Sequence, residues 1–225
     1  MTRGFFICFE GGEGSGKSSR SRELGEALRA RGIAAVNTRE PGGTPGAEEI
    51  RNLLVTGAVD RWTPETEMLL FAAARREHVE KLIWPTLASG RPVICDRFVD
   101  STLAYQANGD ADKARIVLDL HDTFCRGLRP DVTFLLDLDP AIGLARSGRR
   151  IAAEASAESR YEAMELTFHQ QLRRTYLARA AVEPERYVVI DATRTPEAIA
   201  ATIWASVAAR FDVSPMASDP DPSKS

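Results

Sequence analysis

The sequence is short of three things: cysteine, long apolar segments and net charge. Its three cysteines, Cys8, Cys95 and Cys125, lack the spacing of metal ligands, so we expect buried, reduced thiols rather than a disulfide framework. A membrane span needs about 18 apolar residues, and no apolar run approaches that length. The apolar part of Met1–Gly12 is too short for a signal peptide. Both observations predict a cytoplasmic protein. A formal net charge of −3 indicates no broad basic surface for nucleic acid.

Short apolar runs alternate along the chain with longer segments whose apolar residues recur at helical spacing. This alternation predicts an α/β fold in which helices cover both faces of a parallel sheet. The predicted strands are Gly4–Glu10, Ile33–Arg39, Arg91–Asp96, Val132–Asp137 and Tyr187–Asp191. The predicted helices are Lys17–Arg31, Ala47–Thr56, Pro64–Ser89, Asp110–Arg126, a segment from Pro140, Arg160–Ala181 and Pro196–Phe211.

A charged residue closes each of the predicted strands. These residues are Glu10, Arg39, Asp96, Asp137 and Asp191. Open parallel sheets bind ligands beyond the carboxyl ends of their strands, so we expect this edge of the sheet to carry chemistry. The alternative, that the strands simply end at solvent, stays open on this pattern alone.

Gly11–Ser18 reads G-G-E-G-S-G-K-S and fits the phosphate-loop pattern G-x-x-x-x-G-K-[ST] between a predicted strand and a predicted helix. Glycines let backbone N–H groups point at phosphate oxygens, and the positive end of the following helix adds to the attraction. Lys17 is predicted to reach the β- and γ-phosphates, and the Ser18 hydroxyl to bind Mg²⁺. GTPases, ATPases and kinases share this loop. The predicted ATP-binding residues are Gly11, Gly12, Glu13, Gly14, Ser15, Gly16, Lys17, Ser18 and Arg146.

The third predicted strand ends in Asp96-Arg97, where a motor ATPase usually has two acids, the second of which activates water. We expect Asp96 to hold Mg²⁺ through water and Arg97 to grip a second phosphate group. The cation then belongs to a phosphoryl acceptor and not to hydrolysis. The alternative is a surface ion pair.

Within Gly148–Ser159, the segment IAAEASAES (151–159) is small and polar. Arginines flank that segment: Arg146, Arg149 and Arg150 before it and Arg160 after it. This pattern predicts a short lid, about residues 146–160, that excludes water and stabilises charge on the transferred group. A solvated cluster of charges at a helix end is the alternative.

From the strand–helix alternation and the phosphate loop we expect one domain, residues 1–211, with a three-layer P-loop kinase fold. The tail 212–225, rich in Pro, Ser and Asp, is predicted to be disordered.

The chain resembles the bacterial thymidylate kinase family. The segments that carry the resemblance are FEGGEGSGKS (9–18), TREPGGT (38–44), EMLLFAAAR (67–75), DRFVDSTLAYQ (96–106), PDVTFLLDLDP (130–140) and YVVIDAT (187–193). The resemblance implies transfer of the γ-phosphoryl group of ATP to dTMP, with Mg²⁺, to give dTDP and ADP for dTTP synthesis. It also implies a homodimer.

The resemblance implies roles for residues that would contact the thymine base. Phe71 looks like the aromatic residue that stacks on the ring, and Arg75, one helical turn later, looks like the residue that hydrogen-bonds the base. Thr102 and Gln106 look like polar readers of the pyrimidine edge. A core phenylalanine and a solvated arginine are the alternatives for the first two.

The sugar and phosphate of the acceptor have their own residues in the family. Tyr105 resembles the residue that leaves no room for a 2′-hydroxyl, and Glu13 resembles the carboxylate near the 3′-hydroxyl. Arg51 and Arg97 resemble the two arginines that hold the acceptor phosphate. Pro41 lies where the family has a cis proline, an isomer that sequence does not show.

The family places a catalytic arginine either in the phosphate loop or in the lid. The loop position after Glu13 is Gly14, so the lid must supply the arginine. Arg160 is the candidate because S-R-Y-E resembles the family's D-R-x-E, although Ser159 stands where Asp is usual. The stretch A-N-G-D after Gln106 also departs from relatives, which often have glycines and a further arginine there. The predicted catalytic residues are Lys17, Asp96, Arg97 and Arg160.

Two other functions remain open at this point. One is a nucleotide kinase for a purine monophosphate, dUMP or a deoxynucleoside, against which Phe71 and Tyr105 argue. The other is a nucleotide switch or an ATP-dependent binding module without phosphoryl transfer, against which the Asp96-Arg97 pair argues.

Overall fold

A computed structural model of the chain describes residues 3–58, 60–154, 161 and 164–213, with the side chains of all of them except 149–154. Its strands are β1 (Phe6–Glu10), β2 (Val36–Arg39), β3 (Val93–Asp96), β4 (Val132–Asp137) and β5 (Tyr187–Asp191). They form one parallel sheet in the order β2-β3-β1-β4-β5, which confirms the predicted sheet. Among the described residues no helix has the length and apolar character to cross a bilayer.

The helices alternate with the strands. They are α1 (Lys17–Arg29), α2 (Pro45–Val55), α3 (Pro64–His78), α4 (Trp84–Ala88), α5 (Val99–Thr102), α6 (Ala111–Cys125), α7 (Pro140–Glu154), α8 (Leu166–Val182) and α9 (Pro196–Arg210). Two π-helical turns are present, Val79–Ile83 between α3 and α4, and Leu103–Ala107 after α5.

Three helices begin at a Thr-Pro pair, in α2, α3 and α9. In each, the threonine hydroxyl accepts a backbone N–H three residues on: Thr44, Thr63 and Thr195 are these caps. Proline at the first helical position has the φ that a helix requires and no N–H to leave unpaired. These boundaries follow from local sequence alone.

The core lies on both faces of the sheet. Side chains of β1 alternate, so Ile7 and Phe9 pack with α1 and α9 on one face, while Phe6 and Cys8 pack with α3 and α6 on the other. All five residues of β1 are buried, as a central strand of a doubly covered sheet requires. The three cysteines are free and buried, and burial raises the pKa of the Cys8 and Cys95 thiols.

Some boundaries differ from those predicted. The helix predicted over Pro64–Ser89 widens into a π-helical turn just before Pro85, which has no N–H for a regular helical bond. α8 begins at Leu166 instead of residue 160, because Glu165 is extended. α5 and the π-helical turn after it were not predicted. At the C-terminal end, Val213 still packs against the core, and the predicted disordered tail lies outside the described residues from 214 onward.

Candidate active site

The phosphate loop joins β1 to α1 and curls tightly over the sheet. Gly11 and Gly14 have φ of +139° and +65°, which favour glycine. A Cβ atom at Gly11 would overlap the carbonyl oxygen of Leu136, and one at Gly14 would overlap that of Gly143. Gly11 and Gly14 are therefore needed for the close approach of backbone to backbone.

Lys17 begins α1 and is 6% exposed. Its Nζ donates to the carbonyl oxygen of Gly12, at 2.6 Å, and to Ser15 Oγ, at 3.3 Å. Burial, with the neighbouring charge of Arg97, lowers the pKa of Lys17 to about 8. The structure thus places a buried cation against the loop, where the motif predicted one.

Ser18 and Asp96 meet at the carboxyl edge of the sheet, as predicted. Ser18 Oγ donates to Asp96 Oδ2. The other carboxylate oxygen, Asp96 Oδ1, is buried and has no hydrogen-bond partner among the described residues. A hydroxyl and a carboxylate are the oxygen ligands that Mg²⁺ prefers, and Mg²⁺ commonly binds few protein groups alongside substrate phosphates. The residues present therefore fit the metal.

Arg97 lies between the phosphate loop and the next helix in the chain. Its Nη2 donates to Glu13 Oε1 and to the Tyr105 hydroxyl, both at 3.0 Å, and its Nη1 reaches the carbonyl oxygen of Gly11 at 3.3 Å. Its ion-pair partner is Glu13, so the alternative of an Asp96–Arg97 surface pair is wrong. Burial opposes ionisation of Glu13, but the charges of Arg97 and Lys17 outweigh it and lower the pKa of Glu13 to about 2.

The backbone of Arg97 is itself unusual, with φ of +71°. A non-glycine residue in this region is strained, and such strain clusters at functional sites. The conformation lets the Arg97 N–H donate to the carbonyl oxygen of Phe9 at 2.9 Å, while the next N–H, of Phe98, turns to the Glu10 carboxylate at 2.8 Å. The turn therefore aims the Arg97 side chain along the phosphate loop.

Glu10 is a site residue whose role sequence reasoning missed. It is fully buried, and its Oε2 accepts from Ser101 Oγ, at 2.7 Å, and from the Tyr176 hydroxyl, at 2.9 Å. Both hydroxyls also accept from Arg97 Nη1, at 3.2 and 3.3 Å. Burial and the charge of Asp100 raise the pKa of Glu10 to about 7. The sequence does hold a sign of this role, since Glu10 is a glutamate in an otherwise apolar predicted strand. A fully buried carboxylate is rare unless it is paired, so partners could have been predicted.

Three other strand-end charges serve the scaffold. Arg39 pairs with Glu48 at 3.1 Å, and Asp137 pairs with Arg173 at 2.7 Å. Asp191 accepts the backbone N–H two residues on, at 2.8 Å. The strand-end residues that lie with the phosphate loop are therefore those of β1 and β3, while the charges at the other strand ends pair elsewhere in the scaffold.

Arg75 is a buried residue, 3% exposed, which contradicts the alternative of a solvated arginine. Its Nε donates to Glu40 Oε2 and its Nη2 to Thr102 Oγ1, each at 2.7 Å. Glu40 also contacts His78 Nδ1, at 3.1 Å. Phe71, one turn before Arg75 on α3, is half-buried. The predicted base-recognition residues of α3 and α5 are thus brought together.

Gln106, in the π-helical turn after α5, lies at the other end of this group. Its Nε2 is 3.3 Å from Glu67 Oε2 and 3.2 Å from the Tyr161 hydroxyl. The Tyr105 hydroxyl donates to Glu13 Oε1 at 2.6 Å, and the rings of Tyr105 and Tyr161 meet edge to face at 5.5 Å. Glu67 and Tyr161 had no predicted role.

Arg51 and Pro41 are neighbours beside the loop that follows β2. The Glu40–Pro41 peptide bond is cis, the isomer expected for the family. Arg51 Nη1 donates to the carbonyl oxygen of Pro41 at 2.8 Å. This contact holds a cation next to the cis bond.

The lid arginines are described only in part. Arg146, on α7, donates by Nη1 to the carbonyl oxygen of Ala192, after β5, at 3.2 Å. The backbone of α7 continues as helix to Glu154, into the predicted lid. The Arg149 and Arg150 side chains and the whole of Arg160 lie outside the described residues, so the choice of a catalytic arginine stays a prediction.

A phosphate loop with a buried lysine thus lies beside a separate cluster of side chains from α3, α5 and the turn after α5, and Arg97 connects the two through Glu13 and Tyr105. This arrangement defines a P-loop kinase of the nucleoside-monophosphate type, in which a second nucleotide accepts the phosphoryl group.

Comparisons with known proteins narrow this class. The family model described as thymidylate kinase matches residues 9–203. The thymidylate kinase of Caulobacter vibrioides is 50% identical over 203 residues, 90% of this chain and 95% of that protein. The one of Magnetococcus marinus is 48% identical, over 94% and 99% of the two chains. The crystal structure of thymidylate kinase from Ehrlichia chaffeensis superposes with a TM-score of 0.72 at 32% identity, covering 91% and 99%. The chain belongs to the thymidylate kinase family.

Proposed function

We propose that the chain transfers the γ-phosphoryl group of ATP to dTMP with the residues that the structure gathers at the carboxyl edge of β1 and β3. The observation that carries this proposal is the position of Arg97, whose guanidinium contacts the phosphate loop at Gly11 and Glu13 and the predicted sugar residue Tyr105. A cation at that boundary can bind the acceptor phosphate and neutralise the charge that develops on the transferred phosphoryl group. Residues 1–211 then act as one kinase domain with a lid at about 146–160.

On the donor side, the loop residues 11–18 bind the phosphates through backbone N–H groups, and Lys17 neutralises the β- and γ-phosphates. Ser18, and Asp96 through water, would hold Mg²⁺, which when bound would neutralise charge on the phosphates. Arg146, which already contacts the loop after β5, binds near the adenine. Arg160 is the catalytic arginine of the lid.

On the acceptor side, the base stacks on Phe71. Glu40 and Thr102 hold the Arg75 guanidinium by Nε and Nη2, and Nη1 donates to a base oxygen. Thr102 and Gln106 read the edge of the pyrimidine, the second of them as an acceptor.

The sugar and phosphate of dTMP lie nearer to the donor loop. The ionised Glu13 accepts the 3′-hydroxyl proton in a hydrogen bond, since its pKa is about 2. Tyr105 excludes a ribose 2′-hydroxyl. Arg51, with Pro41 beside it, and Arg97 bind the acceptor phosphate.

The reaction needs no general base, because the acceptor phosphate is already an anion. Its oxygen attacks the γ-phosphorus in line, and the bond to the bridging oxygen of ADP breaks. Catalysis is then positioning and charge neutralisation by Lys17, Arg97 and the lid arginine.

A coupled ADP-release assay with dTMP, dUMP, AMP, GMP and no acceptor tests the proposal. We expect fast ADP release with dTMP and little without an acceptor. A preference for AMP or GMP would remove the thymidylate assignment, and equal turnover without acceptor would indicate an ATPase or a switch.

We propose further that two copies of the chain pair through α3 and α6, which pack together and expose large apolar side chains. These are Leu69, 58% exposed, with Ile116 and Phe124. Light scattering should give the mass of a dimer for the wild type and of a monomer for Leu69→Glu. A monomeric wild type would refute the proposed dimer.

We also propose that the enzyme is cytoplasmic, which its free, buried cysteines support.

A further inference from the structure

Two rows of side chains face each other across the proposed base site. On α3, Glu67, Phe71 and Arg75 are four residues apart and share one face. Opposite them, Thr102 and Gln106 are also four residues apart. Arg75 donates to Thr102, and Gln106 donates to Glu67, so the two rows run in opposite directions with Phe71 in the middle. A base stacked on Phe71 is therefore bracketed by the two contacts.

The amide of Gln106 has only one orientation that suits its neighbours. Its Nε2 lies 3.3 Å from a carboxylate oxygen of Glu67, which accepts and does not donate. The Tyr161 hydroxyl lies 3.2 Å from the same oxygen and 3.2 Å from Nε2, so it donates to Glu67 and accepts from Gln106. A flipped amide would set its carbonyl oxygen against the carboxylate. Glu67 and Gln106 are 8% and 7% exposed, so water screens this repulsion little.

The carbonyl oxygen of Gln106 is left as a buried acceptor. Gln106 Oε1 has no hydrogen-bond partner among the described residues. A buried polar atom without a partner is unfavourable, and a ligand that supplies a donor relieves it. The imide N3–H of thymine or uracil is such a donor. The N3 atom of cytosine carries no hydrogen and is itself an acceptor, so it would face the carbonyl oxygen unfavourably.

We propose that Glu67 and Tyr161 are positioning residues that lock the Gln106 amide with its carbonyl toward the base, and so make the enzyme reject cytosine. Neither residue needs to touch the substrate for this effect. Tyr161 also follows the predicted lid in the chain, so base recognition and the root of the lid share one hydrogen-bonded group. The inference rests on the proposed function and adds how that site distinguishes its pyrimidine.

The test is a comparison of kcat/KM for dTMP and dCMP. We expect Glu67→Gln to lower the dTMP:dCMP ratio about tenfold, the size of one lost hydrogen bond, since an amide at this position no longer forbids the flip. Tyr161→Phe should lower the ratio about threefold. Glu65→Gln is the matched control, because Glu65 is exposed on the same helix, and its ratio should equal that of the wild type.

A double-mutant cycle separates positioning from general damage. In a Gln106→Leu background the amide is gone, so Glu67→Gln should no longer change the ratio. An equal loss for both nucleotides in Glu67→Gln, or a change of ratio that persists in the Gln106→Leu background, would overturn the inference. If Glu67→Gln does not fold, the same cycle is run with Tyr161→Phe.

Failure of the inference differs from failure of the proposed function. A wild type that does not phosphorylate dTMP refutes the function. A wild type that prefers dTMP over dCMP, with the same preference in Glu67→Gln and Tyr161→Phe, leaves the function intact and refutes only the roles of Glu67 and Tyr161.

Discussion

The donor loop and the acceptor pocket are built from different parts of the chain. The predicted donor loop is eight consecutive residues, Gly11–Ser18, and we expect its backbone N–H groups to do most of the binding. The predicted acceptor site is made of side chains from the loop after β2, α2, α3, the turn after β3, α5 and the turn that follows it. Several of them, among them Arg75, Arg97 and Gln106, are held by other side chains. A backbone site depends on local conformation, whereas a side-chain site depends on a network that buries charge. Substitutions should therefore act differently in the two regions.

The largest effect is expected in the donor loop, from Lys17→Ala. Removing a buried cation that faces the phosphates should lower kcat/KM about a thousandfold, the upper size seen for one electrostatic contact in a closed site. Lys81→Ala, an exposed lysine, is the control and should act like the wild type. A loss below tenfold in the ADP-release assay would mean that the loop backbone alone suffices.

The buried Glu10 should make the free energy of unfolding depend on pH, and Glu10→Gln should remove this dependence. The Glu10 pKa is raised from 4.5 to about 7, so the folded protein binds this proton more tightly than the unfolded chain. Its contribution to stability is full below pH 4.5 and is lost as pH rises to about 7. Relative to Glu10→Gln, the wild-type free energy of unfolding should fall by about 3 kcal/mol over this interval.

Urea denaturation of both proteins across that pH range measures this difference. Parallel pH profiles for the two proteins would show that Glu10 titrates in the folded state as in the unfolded chain. That result would contradict the inference that burial opposes the ionisation of Glu10 on the acceptor side.

Arg97→Ala tests the junction of the two regions. The KM for dTMP should rise about a hundredfold, because the variant loses a charged contact to the acceptor phosphate, while the Kd for an ATP analogue should change little. Arg115→Ala, whose side chain is 71% exposed, is the control. Unchanged dTMP kinetics, or an equal loss of ATP-analogue affinity, would contradict the assignment of Arg97 to the acceptor.

The smallest effect concerns the metal ligands of the donor side. Ser18→Ala removes one protein oxygen but not Asp96, so the Mg²⁺ concentration for half-maximal activity should rise about tenfold. Ser19→Ala, the exposed neighbour, should not change it. An unaltered Mg²⁺ titration in Ser18→Ala would remove Ser18 from the metal site.

Local sequence predicted the parts of the molecule whose physics is local. The strands were found to within three residues because apolar runs bounded by charged or glycine residues suit a doubly covered sheet. The phosphate loop follows from its glycines. Thr-Pro pairs mark the starts of α3 and α9, which were predicted, and of α2, which begins at Pro45 and not at the predicted Ala47. The π-helical turns were missed, since they keep the apolar pattern of a helix while changing its hydrogen bonds.

The acceptor pocket was predicted through family resemblance, and the partners of its residues were not. Nothing near Arg75 in the sequence shows that Glu40 and Thr102 hold it, 35 and 27 residues away. Glu10 and Tyr176 are 166 residues apart and share a hydrogen bond. Spacing along a chain carries no information about such pairs, because a buried polar group pairs with whichever group the fold brings close to it.

The sequence by itself determined the strand–helix alternation, the glycine loop with Lys17 and the meeting of Ser18 with Asp96, because each depends on neighbours within a few residues or on strands that end at one edge. Only the tertiary structure decided that Arg97 contacts both the phosphate loop and Tyr105, that Glu10 lies buried among its neighbours and that Glu67 and Tyr161 lie against the Gln106 amide. Those arrangements follow from packing distant segments together, where a charged or polar group excluded from water must find whichever partner the fold brings within reach.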